Sequence, residues 1–160
     1  MHLCLYDDLI TVCGEEYILS KCGEKKCNLK DISSKRFIIL DGDNLKKGDK
    51  KSVDCIIIDL EKNTEDNYRV ILCELTTGNK TFDDARQKFQ DSGELIVKLM
   101  KEIDREVFKI DCLLLGKIVK NGQVVSKRYL SKPIRINGYK NKNSIINQQN
   151  CGYSIKKLYT

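Results

Sequence analysis

The chain has 160 residues, 41% hydrophobic and 32% charged, which is enough for one buried core and short for two full domains, so residues 1–160 are read as a single domain. No apolar run reaches the length that spans a bilayer, and the first residues lack the basic, apolar, small-residue order of a signal peptide; a membrane protein is set aside and a cytoplasmic location expected. The net charge of +6 is uneven, because none of the 23 acidic residues follows Asp111 whereas ten of the 29 Lys and Arg do, leaving +10 from Cys112 onward and −4 before it.

In chain order, residues 9–21 (LITVCGEEYILSK) read as a short hairpin turning at Gly14, with no helix before it. Residues 21–35 read as loop and Arg36–Leu40 as a strand. Asp41–Lys51, charged and carrying two glycines without apolar periodicity, reads as an irregular connector. Eight cysteines without a secretory signal are expected as reduced thiols, with Cys4, Cys55, Cys73 and Cys112 acting as small hydrophobes in apolar runs. Cys4, Cys13, Cys22 and Cys27 are spaced C-x8-C-x8-C-x4-C; lacking a C-x2-C pair, this is a weak zinc pattern.

The chemistry concentrates between Val53 and Lys80. Residues 53–60 and 68–76 are apolar strands joined by the hydrophilic EKNTEDN, and so are expected as antiparallel neighbours. Asp54 opens the first, and Glu74 interrupts the apolar end of the second, where a carboxylate requires a compensating partner. Strand alternation puts Glu74 and Thr76 on the face of Leu72, and Cys73 and Leu75 on the other.

Asp83–Ile103 has helical apolar spacing, with Gly93 as a point where it kinks or breaks. Val107–Val119 then reads as a strand, Asn121-Gly122 as a hairpin turn leading into 123–130, and short strands are expected near 133–137, 143–147 and 151–156.

An acid opening a strand, a turn, a second strand carrying E-x-T, and then a helix resembles the PD-(D/E)XK nuclease superfamily over residues 50–105. The resemblance implies an α/β fold, a mixed central sheet flanked by helices (restriction-endonuclease-like), here with extra C-terminal strands. It implies an endonuclease that hydrolyses phosphodiester bonds of DNA or RNA with Mg²⁺ or Mn²⁺. Asp54 and Glu74 match the two motif carboxylates, nineteen residues lying between them. With the backbone carbonyl of Leu75 they are the expected metal ligands, a donor set that suits a hard cation. Val53 stands where the family has Pro, and Thr76 where it has the catalytic Lys. Lys80, just past the strand, and Lys88, on the helix, are the two candidates to replace that charge. The family also takes an acid from a helix before the first motif; Glu15 and Glu16 are the candidates.

The acid-free tail is the expected nucleic-acid track. Lys127, Arg128, Lys132, Arg135, Lys140 and Lys142 neutralise phosphates, and Tyr129 and Tyr139 offer rings for stacking. A homodimer or a larger protein partner is compatible with the sequence. The alternative to the enzyme is a catalytically inactive module of the same fold that binds nucleic acid or assembles with a protein, because Thr76 supplies no positive charge.

Overall fold

The computed structural model describes residues 2–24, 26–46, 48–64, 66–76, 82–116, 119–120, 123–124, 131–140 and 144–160. Its centre is a mixed six-stranded sheet. β4 (Phe37–Asp41), β5 (Cys55–Thr64) and β6 (Asn67–Leu75) form an antiparallel meander. The 21-residue helix α3 (Phe82–Glu102) then crosses over, and β7 (Glu106–Leu115) lies parallel to β6. Edge strands β1 (Ile18–Leu19) and β10 (Ile146–Gln149) close the two sides, the latter parallel to β7, so the order across the sheet is β1-β4-β5-β6-β7-β10.

Strand alternation divides the core into two. Ile56, Ile58, Val70 and Leu72 face Phe89, Ile96 and Met100 of α3, together with Leu5 and Leu9 of α1 (His2–Cys13). Ile57, Ile71, Cys73 and Leu113 face the other way, toward Cys22, Cys27, Leu29 and Ile155. That second face is covered by a two-stranded ribbon, β2 (Cys22–Gly23) with β3 (Asn28–Leu29), and by the 3-10 helix Ile155–Tyr159. The fold is thus α/β around a mixed sheet, but both long helices pack on one face.

Several local expectations are corrected. Residues 2–13 form a helix, not half of a hairpin, because Leu5 and Leu9, one turn apart, are both fully buried. Residues 42–45 form a short helix, α2 (Gly42–Leu45), within the expected irregular connector; the Asp41 carboxylate caps it by accepting from Asn44 N. Gly93 does not break α3, and its missing side chain makes room for a distant segment: a Cβ at Gly93 would lie 2.5 Å from Ile136 Cδ1. Near the C-terminus, the expected strand at 151–156 is replaced by the 3-10 helix Ile155–Tyr159. β8 (Val119–Lys120) and β9 (Gln123–Val124) pair antiparallel, as a two-residue hairpin turn requires, while Asn121-Gly122 lie outside the described residues.

The cysteines also differ from expectation. Cys22 is bonded to Cys55 and Cys27 to Cys151, so two pairs of sulphurs from distant parts of the chain are disulfides rather than reduced thiols. This leaves the N-terminal zinc pattern without Cys22 and Cys27, while Cys13 donates its thiol to Leu9 O within α1. Cys73 and Cys112 are free and buried, and burial pushes both thiols well above the usual range. Among the described residues, no helix is long and apolar enough to cross a membrane.

Candidate active site

β5 and β6 bring the two motif acids together. Cys55 pairs with Cys73, so Asp54, just before that pair, and Glu74, just after it, are cross-strand neighbours. Asp54 N donates to Glu74 Oε2 at 3.2 Å, and Leu75 N donates to Asp54 Oδ2 at 2.7 Å. Each carboxylate is therefore held by the other strand's backbone.

The entry into Asp54 is fixed from two sides. On α3, Asp91 accepts from Lys51 N at 2.9 Å and Ser92 Oγ accepts from Val53 N at 2.9 Å, which ties residues 51–53 to the helix. On the other side, Gly42 N donates to Asp54 O at 3.1 Å. Only glycine permits that contact, because a Cβ at position 42 would stand 2.0 Å from Val53 O. α2 is in this way seated at the start of β5, and it carries Asp43 to Asp54.

Glu74 has no exposed surface, and its charge is compensated by Lys88 of α3, whose Nζ lies 2.8 Å from Oε1. The lysine itself is only 16% exposed, so the pair is nearly desolvated, and each charge depends on the other for its compensation. It also explains why a carboxylate tolerates the apolar end of β6. Thr76 is buried beside the pair, its N donating to Leu115 O at 2.9 Å. Gly116, at φ +109°, leaves room for this strand end, as a Cβ there would stand 2.0 Å from Thr76 O.

A cavity of about 540 Å³ opens at this end of the sheet, lined by Asp41, Asp43, Asp54, Cys55 and Leu75, and by residues of the β2–β3 ribbon. Asp43 opens toward solvent here, yet its carboxyl is raised above the ordinary aspartate range. Partial desolvation is the largest cause, followed by the charge of Asp54 and a hydrogen bond between the two carboxyls; Lys88 pulls the other way. Asp43 and Asp54, both on the cavity wall, are a donor pair that suits a divalent cation, since Mg²⁺ needs only one or two protein carboxylates beside water and phosphate oxygens. Among the described residues, no cluster of three acids, histidines or cysteines is arranged to hold a metal by itself. Glu74, with one oxygen on Lys88 and the other on Asp54 N, lies behind this pair.

Of the other candidates, Lys80, Lys127, Arg128, Tyr129 and Lys142 lie outside the described residues. Glu15 and Glu16 sit on the 3-10 turn Glu15–Tyr17 and do not line the cavity, whereas Asp43 does. The sign that could have found Asp43 is the DGDN sequence, a helix cap followed by glycine and an acid just ahead of Asp54. Lys132, Arg135 and Lys140 are exposed. Tyr139 is half-buried against the helical side of the core, and its hydroxyl accepts from Ile110 N at 2.9 Å, which ties the ring to β7. No protein-family model, curated protein or solved structure matches the chain.

Proposed function

We propose that this chain is a divalent-cation-dependent nuclease that hydrolyses phosphodiester bonds of DNA or RNA on a restriction-endonuclease-like fold. The observation that carries the reading is the meeting of Lys88 with Glu74, at 2.8 Å, beside Asp54. In the resemblance, the missing lysine at position 76 requires a cation from elsewhere, and α3 brings one to the second motif acid. The strand order β4-β5-β6, crossover α3 and parallel β7 also suits that fold, with Asp54 and Glu74 at the strand ends where the resemblance expects them.

Asp54 and Asp43 hold the cation at the cavity wall, with Glu74 close behind Asp54. Mg²⁺ or Mn²⁺ bound there supplies Lewis-acid activation of water and charge neutralisation at the phosphate. Glu74 orients Lys88, whose ammonium stabilises negative charge developing at the reacting phosphate. The exposed Lys132, Arg135 and Lys140 contribute sequence-independent attraction to the nucleic-acid backbone.

A second reading, a binding module of the same fold without cleavage, is favoured by one feature: both Glu74 oxygens are already engaged. Purified protein incubated with Mn²⁺ and single- or double-stranded DNA or RNA separates the two. Cleavage that stops with chelator and in Glu74→Ala supports the nuclease. Salt-dependent binding with every substrate left intact supports the module.

A further inference from the structure

Besides Leu19 of β1, the cavity at Asp54 takes the rest of its wall from the β2–β3 ribbon and the residues leading into it, Ser20, Lys21, Gly23, Glu24, Lys26 and Cys27. Lys21 and Lys26 are both exposed into this region, and among the described residues neither forms an ion pair. Each immediately precedes a disulfide-bonded cysteine: Cys22 is tied to Cys55, the residue after Asp54, and Cys27 to Cys151. The ribbon's β3 side is also tied to the C-terminal segment, Gly152 N donating to Asn28 O at 2.8 Å and Lys30 N to Tyr153 O at 2.8 Å, whereas for the β2 side, which carries Lys21, the cross-link to the sheet is the Cys22–Cys55 disulfide. The ribbon itself is two residues per strand, closed by Glu24 N donating to Cys27 O at 3.0 Å.

Resting on the nuclease reading, we propose that Lys21 and Lys26 form a phosphate-binding wall that grips the nucleic-acid strand carrying the scissile bond, and that the two disulfides hold this wall against the acids. Charge balance supports the assignment. Glu24, Asp41, Asp43 and Asp54 outnumber the two lysines in the lining, so the bare cavity repels phosphate. With a divalent cation on the acids the balance is neutral, and the lysines are then free to pair with phosphates on either side of the reacting one. Substrate binding is therefore cation-dependent, and it is also redox-dependent. A dithiol reductant passes two electrons and two protons to each protein disulfide, yielding two cysteine thiols and a cyclic disulfide of the reductant, and the ribbon is then released from Cys55 and Cys151.

The test uses a nuclease-resistant phosphorothioate oligonucleotide as the probe, titrated in Mn²⁺ against oxidised wild type, the oxidised Lys21→Ala/Lys26→Ala variant, and both proteins after dithiothreitol. The double variant should bind at least tenfold more weakly, with Mn²⁺ affinity no lower than in wild type, since two positive charges have left the cation's cavity. Its plot of log affinity against log salt should be shallower by about 1.4 for a single strand, about 0.7 for each phosphate that a lysine no longer neutralises. Reduced wild type should lose affinity to a similar degree, and reduction of the double variant should add little. The Cys27→Ser/Cys151→Ser variant, which leaves Cys22–Cys55 in place, should lie between. Wild-type affinity in the double variant, or affinity insensitive to dithiothreitol, overturns the inference while Mn²⁺-dependent cleavage by wild type leaves the nuclease reading standing. Oxidised wild type that neither binds nor cleaves overturns both.

Discussion

At the scale of single residues, the decisive interaction is the nearly desolvated pair of Glu74 and Lys88. Removing one partner strands the other charge away from water, which costs more than the pair itself contributes. Lys88→Met should accordingly destabilise the protein by about 3 kcal/mol and abolish cleavage. Lys88→Met with Glu74→Leu should recover much of that stability and none of the activity. Denaturant unfolding beside a cleavage assay checks both halves, and a Lys88→Met protein that cleaves normally would reduce the pair to a structural tie. Asp43 makes a separate prediction through pH. Its raised carboxyl is harder to ionise in the folded chain than in the unfolded one, so its contribution to stability is complete below the ordinary aspartate value, near pH 4, and is lost as pH climbs through the raised value. Without divalent cation, Asp43→Asn should flatten that part of the stability–pH curve and keep Tm at neutral pH equal to or above wild type. Mn²⁺ should raise the wild-type Tm more than the variant's.

At the scale of elements, the meander β4-β5-β6 and the helix α3 were legible in the sequence because their apolar periods are long and bounded by polar turns. α1 was not, since its β-branched and aromatic residues imitate strand propensity and only tertiary packing of Leu5 and Leu9 decides the matter. The acid-in-an-apolar-run signal that singled out Glu74 applied equally to Asp59 in CIIIDL, and there it marks structure. Asp59 lies on the opposite sheet face, where it accepts from Arg36 Nε and Nη2 at 3.0 and 2.9 Å and from the Tyr159 hydroxyl. The disulfides were illegible because Cys22–Cys55 and Cys27–Cys151 join residues 33 and 124 apart, which only the fold brings together. Gly93 offers a test at this scale. Helix propensity alone favours Gly93→Ala by about 1 kcal/mol, but the new methyl would enter the space of the buried Ile136. Steric cost should win, with a net destabilisation of about 1–2 kcal/mol that Ile136→Val partly relieves; a more stable Gly93→Ala would contradict the close packing of α3 on residues 134–136.

At the scale of the whole molecule, acidic charge and covalent ties both converge on one end of the sheet. The acids of the first 111 residues include the cluster at the cavity, and the acid-free tail supplies a positive region suited to the polyanion such a cluster would process. The sequence alone singled out Asp54 and Glu74 and left Lys80 and Lys88 as alternatives for the compensating charge; spacing along the chain does not say which lysine meets Glu74. Asp43 and the ribbon lysines join the site only through the seat of α2 on the Val53 backbone and the sulphur links of the ribbon. The central claim is that this cluster performs metal-dependent phosphodiester hydrolysis, and Asp54→Asn tests it most directly, because the amide keeps an oxygen to accept from Leu75 N while removing the charge that holds the cation. The Mn²⁺-dependent cleavage rate should fall at least a hundredfold with the fold and Tm preserved, whereas a well-folded Asp54→Asn protein cleaving at the wild-type rate would contradict the claim.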